Sequence, residues 1–261
     1  MAQHSATAAL VTGGARGIGR AISEALASAG HDIIVHARGG GPDLKSFLDH
    51  LAARYGVKAR SVTADFLAPG AVDELFDQLD RIGWPLGVLV NNAGYETNHA
   101  AEDMPQDDWN GVLQVNLTAP FQCSQHAARL MKGAGGVIVN ITSIHDSIAR
   151  KGLSHYCAAK AGLRMLGHAL ALEWAEYGIR VVNIGPGAIE TDMNRSAIEA
   201  FGRQKFDGWI PAGRVGTVED VAALVRFVCS KEAGYMTATD LYVDGGYMRN
   251  LVRYDDRPGR S

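Results

Sequence analysis

The sequence is poor in cysteine, in long apolar runs and in excess charge of one sign. Its three cysteines (Cys123, Cys157 and Cys229) are widely spaced and odd in number, which excludes a paired disulfide framework and a thiolate zinc site. No apolar run reaches the roughly 18 residues that a membrane span needs, and the first residues show no signal-peptide pattern. The net charge of -3 provides no long-range attraction to nucleic acid or to an anionic membrane. We therefore expect a cytoplasmic protein that binds a small molecule.

Short β-rich runs alternate with longer helical patterns along the whole chain. Several of the runs, such as LGVLV and GVIVNI, are continuously apolar, as is typical of strands covered on both faces. This alternation predicts an α/β fold, a doubly wound parallel sheet of the Rossmann type with helices on both faces. We expect one domain over residues 1–261, with Tyr254–Ser261 as a loose or docking tail. The predicted strands are Ala8–Thr12, Ile33–Ala37, Ala59–Ala64, Leu86–Asn91, Val137–Thr142, Ile179–Ile184 and Leu241–Val243.

Helices are predicted from apolar periodicity and from the glycines that follow them. Gly17–Ala29 is followed by Gly30, and Leu44–Tyr55 is followed by Gly56, both good residues for a helix end. The longest helical patterns cover Asp107–Lys132 and Ser154–Tyr177.

A glycine-rich turn joins the first strand to the first helix. Its sequence is TGGARGIG, and glycine there lets the backbone turn sharply and lets a pyrophosphate approach the amides of the helix end. Such a turn alone is also typical of a purely structural connection, but its position after the first strand favours a dinucleotide site. The residues predicted to bind the cofactor here are Gly13, Arg16, Gly17, Ile18 and Gly19.

The end of the second strand indicates which cofactor is used. An acid there binds the ribose 2′-hydroxyl of NAD, whereas a nearby arginine accommodates the 2′-phosphate of NADP. The sequence has Arg38 and no acid, and Arg16 is a second candidate for the phosphate. NADP(H) is therefore the preferred cofactor, with NAD(H) possible as well. The alternative is that both arginines are solvated surface charges.

Two further strand ends carry candidate cofactor residues. Ligands bind at the carboxyl ends of strands in open α/β sheets. Alternatively, the carboxylate after the third strand caps the following segment and Asn-Ala-Gly is a simple turn. The predicted residues are Asp65, Phe66, Asn92, Ala93 and Gly94.

Tyr156 and Lys160 are four residues apart in a helical segment, so both project from one face. A phenol has a reference pKa near 10, and a nearby ammonium together with the positive charge of oxidised nicotinamide would lower that pKa. Ser143 follows the fifth strand and can hydrogen-bond the reacting oxygen. An isolated Tyr-x-x-x-Lys pair is usually structural, but this one follows a serine and a nucleotide turn. The combination predicts hydride transfer with a tyrosine–lysine proton relay.

These stretches together resemble the short-chain dehydrogenase/reductase family, in its single-domain branch. The resemblance extends from TGGARGIG through NNAG, VNLTAPF, ITS, YCAAK and NIGPGAIET to LYVDGG. It implies a catalytic set of Asn116, Ser143, Tyr156 and Lys160, in which Asn116 holds a water that links the lysine to solvent. It also implies a homotetramer, with the two longest helical patterns at the interfaces. The residues implied for the nicotinamide end are Pro186, Gly187, Ile189 and Thr191.

Within that family, several stretches are similar to bacterial glucose 1-dehydrogenases. They include Glu96 just after NNAG and the run Ser143–Asp146, in which His145 lies. Glu96 and His145 would hydrogen-bond sugar hydroxyls. Alternatively, they are surface residues shared by common descent. The sequence departs from that group at 149–153 and at the C-terminal tail, both of which border the substrate in the family.

These residues are consistent with three functions. The first is an aldose 1-dehydrogenase. The second is a 3-oxoacyl-thioester reductase, for which a basic patch would argue, but Arg129 and Lys132 alone do not establish one. The third is a catalytically silent NADPH sensor, which the presence of both relay residues disfavours. The nine histidines show no paired metal-ligand spacing such as H-E-x-x-H, so no metal is expected.

Overall fold

A wholly parallel, seven-stranded sheet organises the residues that the computed structural model describes, which are 7–191 and 202–250. The strand order is β3-β2-β1-β4-β5-β6-β7, so the order reverses between β1 and β4. This confirms the predicted doubly wound α/β fold, and each predicted strand is present with small shifts at its ends. The predicted tail, Tyr254–Ser261, lies outside the described residues. The strands are β1 (Ala8–Val11), β2 (Asp32–Ala37), β3 (Ala59–Thr63), β4 (Leu86–Asn91), β5 (Gly136–Ile141), β6 (Ile179–Pro186) and β7 (Thr239–Val243).

The helices also follow the predicted pattern, with one correction. The predicted segment Asp107–Lys132 is helical without a break as far as Met131, but a π-helical turn at Gln114–Thr118 interrupts its α-helical hydrogen bonds and separates α4 from α5. Three helices were not among the predicted ones: α3 (Ala71–Ile82), α7 (Arg203–Gly208) and α8 (Val218–Cys229). None of the helices in the described ranges combines the length and apolar character that a membrane crossing needs. The helices are α1 (Gly17–Ser28), α2 (Pro42–Tyr55), α3 (Ala71–Ile82), α4 (Gln106–Leu113), α5 (Ala119–Met131), α6 (Ser154–Trp174), α7 (Arg203–Gly208) and α8 (Val218–Cys229).

Two apolar layers hold the helices against the sheet. Alternate residues of the strands point to opposite faces, so Leu10 belongs to one layer and its neighbour Val11 to the other. Helices α3, α5 and α6 cover the first face, and α1, α2 and α8 cover the second. Burial on both faces explains why the strands read as continuous apolar runs.

A row of polar side chains crosses the sheet beneath α6. Asn91, Asn140, Asn183 and Asp240 are register partners on four successive strands. Each asparagine donates from its amide nitrogen to the next residue in the row, over distances of 2.9, 3.0 and 2.9 Å. A Cβ at Gly167 of α6 would overlap Asn183 Oδ1, so glycine allows the helix to approach this row closely. The row fixes the relative positions of the strands whose ends carry the candidate catalytic residues.

Candidate active site

The candidate site residues lie at the carboxyl edge of the sheet, around the reversal between β1 and β4. Ligands bind at this point in open α/β sheets because neighbouring crossovers run to opposite faces and leave a crevice. The glycine turn follows β1, Asn92 follows β4 and Ser143 follows β5. Helix α6 brings Tyr156 and Lys160 to the same edge.

Ser143, Tyr156 and Lys160 come together as the sequence predicts. Ser143 Oγ accepts a hydrogen bond from the His145 amide at 3.1 Å, and its hydroxyl lies close enough to that of Tyr156 to act on the tyrosine's pKa. Lys160 is 4% exposed, and its Nζ lies 5.6 Å from the centroid of the Tyr156 ring. The serine is fixed by the turn after β5 and the other two by successive turns of α6, so the three side chains are held on rigid elements.

The protein's own groups raise the pKa of Tyr156, whereas the lowering predicted from the sequence depends on the charge of bound oxidised nicotinamide as well as on the lysine. Burial is the main cause, the charge of Glu96 adds to it, and the Ser143 hydroxyl acts in the opposite direction. Burial also lowers the pKa of Lys160 to about 8, against the opposing charges of Asp146 and Glu96. Near neutral pH the pair therefore consists of a neutral phenol and a mostly protonated amine.

Asn116 lies in the π-helical turn, a type of helix defect that is frequent at functional sites. Its side chain is fully buried, and Nδ2 donates to the carbonyl oxygens of Tyr95 and Val112 at 2.8 and 3.0 Å. Oδ1 has no hydrogen-bond partner within the described part of the chain. It faces the α-carbon of Gly94, and Lys160 Nζ lies on the same side of that glycine. The geometry therefore fits the role that the family resemblance implies for this residue.

The glycine turn has a shape that requires glycine. Gly13 and Gly17 have φ of 61° and 52°, and a Cβ at Gly19 would overlap Gly13 O and Asn92 Nδ2. Asn92 Nδ2 donates to Thr12 O and Gly13 O at 2.9 and 3.2 Å, so the NNAG segment after β4 holds the turn in place. The predicted cofactor residues Ala93 and Gly94 continue this segment, and the Ala93 amide donates to Thr12 Oγ1 at 3.0 Å.

A dinucleotide fits this turn. A Cβ at Gly17, at the first turn of α1, would have only Thr191 Cγ2 near it, at 3.9 Å. The amino end of α1, a helix of 12 residues, attracts phosphate through its free amides and its dipole. The two arginines predicted to bind the 2′-phosphate, Arg16 and Arg38, are exposed at this edge, one as the N-cap of α1 and the other directly after β2. Ile18 is half-buried in the first turn of α1.

The remaining predicted cofactor residues differ in their exposure and in their contacts. Asp65 is exposed, and its Oδ1 accepts from the Leu67 amide at 3.1 Å, which is the capping role considered as the alternative. Phe66 is buried and stacks on His36, with ring centroids 4.4 Å apart. The stretch 186–191 follows β6. Pro186 and Ile189 are buried there, Thr191 is half-buried, and the Gly187 amide donates to Val243 O at 2.9 Å.

Glu96 and His145 both lie beside the relay. Glu96 is close enough for its charge to raise the pKa of both Tyr156 and Lys160. Burial raises the pKa of Glu96 itself, while the charges of Arg150 and Lys160 oppose that rise. The His145 ring centroid is 6.5 Å from that of Tyr156, and its Nδ1 lies 3.0 Å from Ile148 O. Because a carbonyl only accepts, Nδ1 carries the hydrogen. The pKa of His145 is lowered by burial, so the neutral ring presents Nε2 as an acceptor.

Sequence reasoning did not identify the polar contacts that hold the turn after Ser143. Asp146 is buried, and its Oδ1 accepts hydrogen bonds from Ser147 Oγ and Tyr242 OH at 2.7 and 2.8 Å. Arg164 of α6 donates to Ser147 Oγ at 2.7 Å. These contacts join α6 and β7 to the turn that bears Ser143 and His145. The acid was visible in the Ser-x-His-acid run, but its partners are distant in the chain.

No cluster of three or more histidine, cysteine, aspartate or glutamate side chains suited to a metal ion occurs within residues 7–191 and 202–250.

The chain is similar to known oxidoreductases over almost its whole length. A family model described as enoyl-(acyl carrier protein) reductase matches residues 13–248. The chain is 40% identical over 238 residues to a 3-oxoacyl-[acyl-carrier-protein] reductase of Aquifex aeolicus, covering 91% of this chain and 95% of the relative.

Solved structures show the same architecture. Acetoin dehydrogenase from Enterobacter cloacae superposes with a TM-score of 0.87 at 35% identity, covering 98% of this chain and all (100%) of the other. A putative 2-deoxy-D-gluconate 3-dehydrogenase from Agrobacterium tumefaciens with bound NADP superposes with a TM-score of 0.85 at 36% identity, covering 93% and 96%.

Proposed function

Because the chain belongs to the short-chain dehydrogenase/reductase family of NAD(P)(H)-dependent oxidoreductases, we propose that it transfers hydride between NADP(H) and a sugar. The proposed reaction is the oxidation of an aldose at the anomeric carbon to a lactone. The observation that favours a sugar is that the carboxyl group of Glu96 and the imidazole of His145 lie beside the relay residue Tyr156.

The preference for NADP(H) is proposed from charge at the end of β2. Arg38 and Arg16 are exposed cations at this edge, and β2 ends in Ala37 without an acid that would bind a 2′-hydroxyl. Guanidinium groups bind phosphate through paired hydrogen bonds. The putative gluconate-type relative with bound NADP supports this choice.

The proposed mechanism uses the relay as follows. Pro186, Gly187, Ile189 and Thr191 would hold the nicotinamide, which would supply or accept the hydride when bound. Ser143 hydrogen-bonds the reacting oxygen, and Tyr156 gives up its phenolic proton in the reduction direction or receives a proton in the oxidation direction. The positive charge of Lys160 favours the phenolate and so offsets the effect of burial on the pKa of Tyr156. Asn116, through Oδ1, would hold the water that connects the ammonium to solvent.

A sugar satisfies the two polar side chains better than an acyl chain does. A carboxylate accepts hydrogen bonds, and so does His145 Nε2 in the neutral tautomer. Sugar hydroxyls donate to both. An apolar chain would leave these partly buried groups without partners, at a cost of about 1–3 kcal/mol each. A site built this way discriminates against substrates that lack hydroxyls.

A 3-oxoacyl thioester is the second candidate substrate, and the 40% identity to the Aquifex reductase supports it. The relay serves either substrate, because both reactions move a hydride and one proton at a carbon–oxygen bond. The two candidates require different surfaces near the site. An acyl carrier is acidic, so an enzyme that binds one needs a basic patch, whereas a free sugar needs none. Arg129 and Lys132 are exposed, but Lys132 Nζ lies over the Tyr177 ring, 4.3 Å from its centroid.

A substrate panel tests the proposal. NADP+ reduction would be followed with aldoses, polyols and secondary alcohols, and NADPH oxidation with an acetoacetyl thioester. We expect kcat/KM to be highest for an aldose, and about tenfold or more below that for a simple secondary alcohol. Efficient reduction of the thioester, with no aldose oxidised above background, would reject the sugar and favour the second candidate.

A further inference from the structure

His36 lies near the carboxyl end of β2 and is 2% exposed. Both nitrogens of its ring are engaged. Nδ1 is 3.2 Å from the amide nitrogen of Gly13, in the glycine turn, and Nε2 is 3.0 Å from the carbonyl oxygen of Ala64, after β3. The imidazole therefore bridges the ends of β1 and β3, the strands on either side of its own strand.

These two partners determine the tautomer of the ring. The Gly13 amide can only donate, so Nδ1 must be an unprotonated acceptor, whereas the Ala64 carbonyl can only accept, so Nε2 must carry the hydrogen. Both contacts are satisfied only by the neutral ring. A protonated ring would turn the N–H of Nδ1 against the N–H of Gly13.

The contact acts directly on the backbone of the glycine turn. The backbone oxygen of His36 also accepts from the Gly14 amide at 3.0 Å, so one residue binds two consecutive amides of the turn. Gly13 has a positive φ of 61°, and its own carbonyl accepts from Asn92 Nδ2. Loss of the imidazole acceptor would leave a partly buried amide unpaired, at the residue where the chain turns toward α1.

We propose that His36 is a positioning residue for the cofactor: its neutral imidazole holds the Gly13 amide and keeps the glycine turn in the shape that receives the pyrophosphate. Protonation of the ring releases the turn and weakens cofactor binding. The inference rests on the proposed cofactor site and is independent of which substrate the enzyme oxidises.

The surroundings of the ring support a neutral state at physiological pH. Burial lowers the pKa of His36, while the hydrogen bond to Ala64 and the charge of Asp65 act in the opposite direction. Phe66, which follows Asp65, stacks on the ring and carries no charge. Asp65 is the charged group that acts on His36 from the element after β3, and the neighbouring cations Arg16 and Arg38 are exposed.

The direction of the pH effect follows from this lowered pKa. An unfolded histidine titrates near pH 6.5, and the folded ring titrates below that value. The stabilising effect of the neutral ring is therefore complete above about pH 6.5 and is lost as the pH falls through the folded pKa. Cofactor affinity depends on the folded protein alone, so it should be lost as the pH falls through the lowered pKa of His36 in the cofactor-free enzyme.

Binding measurements on three variants test the proposal. His36→Phe removes both hydrogen bonds and keeps an aromatic ring against Phe66, whereas His36→Asn keeps an acceptor near the position of Nδ1 and does not titrate. His31→Asn is the matched control, because His31 precedes the same strand at the opposite edge of the sheet. Dissociation constants for NADPH and NADH would be measured by fluorescence from pH 5 to 8, after circular dichroism has verified the fold of each variant.

At pH 8 we expect His36→Phe to weaken both cofactors roughly 5- to 100-fold, the range for a buried donor that loses its acceptor, with kcat changed much less. His36→Asn should restore most of that affinity, and His31→Asn should resemble the wild type. The ratio of wild-type to His36→Asn dissociation constants should rise as the pH falls. The 2′-phosphate of the ligand also titrates near pH 6, but this cancels in the ratio and is absent from NADH.

Two results would overturn the inference: a folded His36→Phe that binds NADPH within twofold of the wild type, or a ratio independent of pH. Nitrogen NMR of labelled histidine supplies a readout that needs no catalysis, and a proton on Nδ1 at pH 8 would also overturn it. Should the wild type bind neither cofactor, the proposed function fails together with this inference. Normal binding and turnover without sensitivity to His36 would reject this inference alone.

Discussion

Lys160 donates a hydrogen bond from Nζ to the carbonyl oxygen of Ile141, 2.9 Å away, at the end of β5. Ile141 is the last residue of that strand, and Ser143 follows two residues later. The contact therefore places the ammonium group of α6 and the serine hydroxyl relative to one backbone segment. Because the lysine stem is buried and its end is bonded to the sheet, the charge beside Tyr156 does not depend on a flexible surface side chain.

Removal of the phenolic hydroxyl should stop turnover. We expect Tyr156→Phe to lower kcat about 10²- to 10⁴-fold, because a positioned acid or base contributes that much, while NADPH still binds. Tyr177→Phe, on the turn after α6, is the matched control and should retain wild-type activity. Steady-state rates at saturating substrate check this. A Tyr156→Phe enzyme that keeps more than roughly a tenth of the wild-type rate would show that the proton takes another route.

Replacement of the lysine should change the pH dependence as well as the rate. Burial lowers the pKa of Lys160 to about 8, so the wild-type profile of kcat/KM should show an inflection near that pH. In Lys160→Ala the phenol loses its stabilising charge, so its pKa rises further and the pH optimum of oxidation moves upward. Lys151→Ala, an exposed lysine just before α6, controls for the loss of charge alone. An unchanged profile, with chemistry rate-limiting, would contradict the role of Lys160.

Arg38 should select the cofactor. Arg38→Asp places a negative charge where the 2′-phosphate is proposed to bind, so NADPH should weaken roughly 10- to 100-fold and NADH much less. Arg54→Asp on α2 makes the same change of charge at an exposed site and should affect neither cofactor strongly. Fluorescence titration with both cofactors distinguishes the cases. Equal weakening of NADPH and NADH by Arg38→Asp would mean that Arg38 does not contact the phosphate.

The sequence predicts the strands well, because the apolar pattern of a strand lies within a few consecutive residues. It predicts contacts between distant segments poorly. Strands such as LGVLV are recognisable from burial on both faces. By contrast, His36 contacts Gly13 and Ala64, which are 23 and 28 residues away, and its role depends on how three strand ends meet. Asn116 required the family resemblance, since no local pattern predicts a π-helical turn. The sequence also does not show how burial acts on the pKa of Tyr156, because the extent of burial depends on the packed structure and not on residue types.

The surface of α6 predicts self-association. Met165 and Leu172 are 59% and 76% exposed and lie seven residues apart, with the exposed Ala161 and Ala169 on the same face. An apolar stripe of this kind is typical of an interface. We expect a homo-oligomer, most simply a tetramer, and expect Leu172→Glu to reduce its mass in light scattering. Ala53→Glu, at an exposed position of α2, is the control for the added charge. A wild-type particle of 27.8 kDa at micromolar concentration would refute the prediction.

Glu96 and His145 should set the preference for a sugar. Each lies beside Tyr156 and presents a hydrogen-bond acceptor, so Glu96→Ala and His145→Ala should raise KM for the best aldose roughly 5- to 100-fold. A simple secondary alcohol has no further hydroxyls to bind, so its KM should change less than threefold, by the same reasoning.

The conservative change Glu96→Gln separates hydrogen bonding from charge, because the amide keeps one acceptor but no longer acts on the pKa of Tyr156 and Lys160. Glu102→Ala, exposed on the same connection after β4, is the matched control and should behave as the wild type. If Glu96→Gln shifts the pH profile while it preserves KM for the aldose, Glu96 acts through both charge and hydrogen bonding. Equal losses for aldose and secondary alcohol in both alanine variants would mean that these residues support the relay and do not select the substrate.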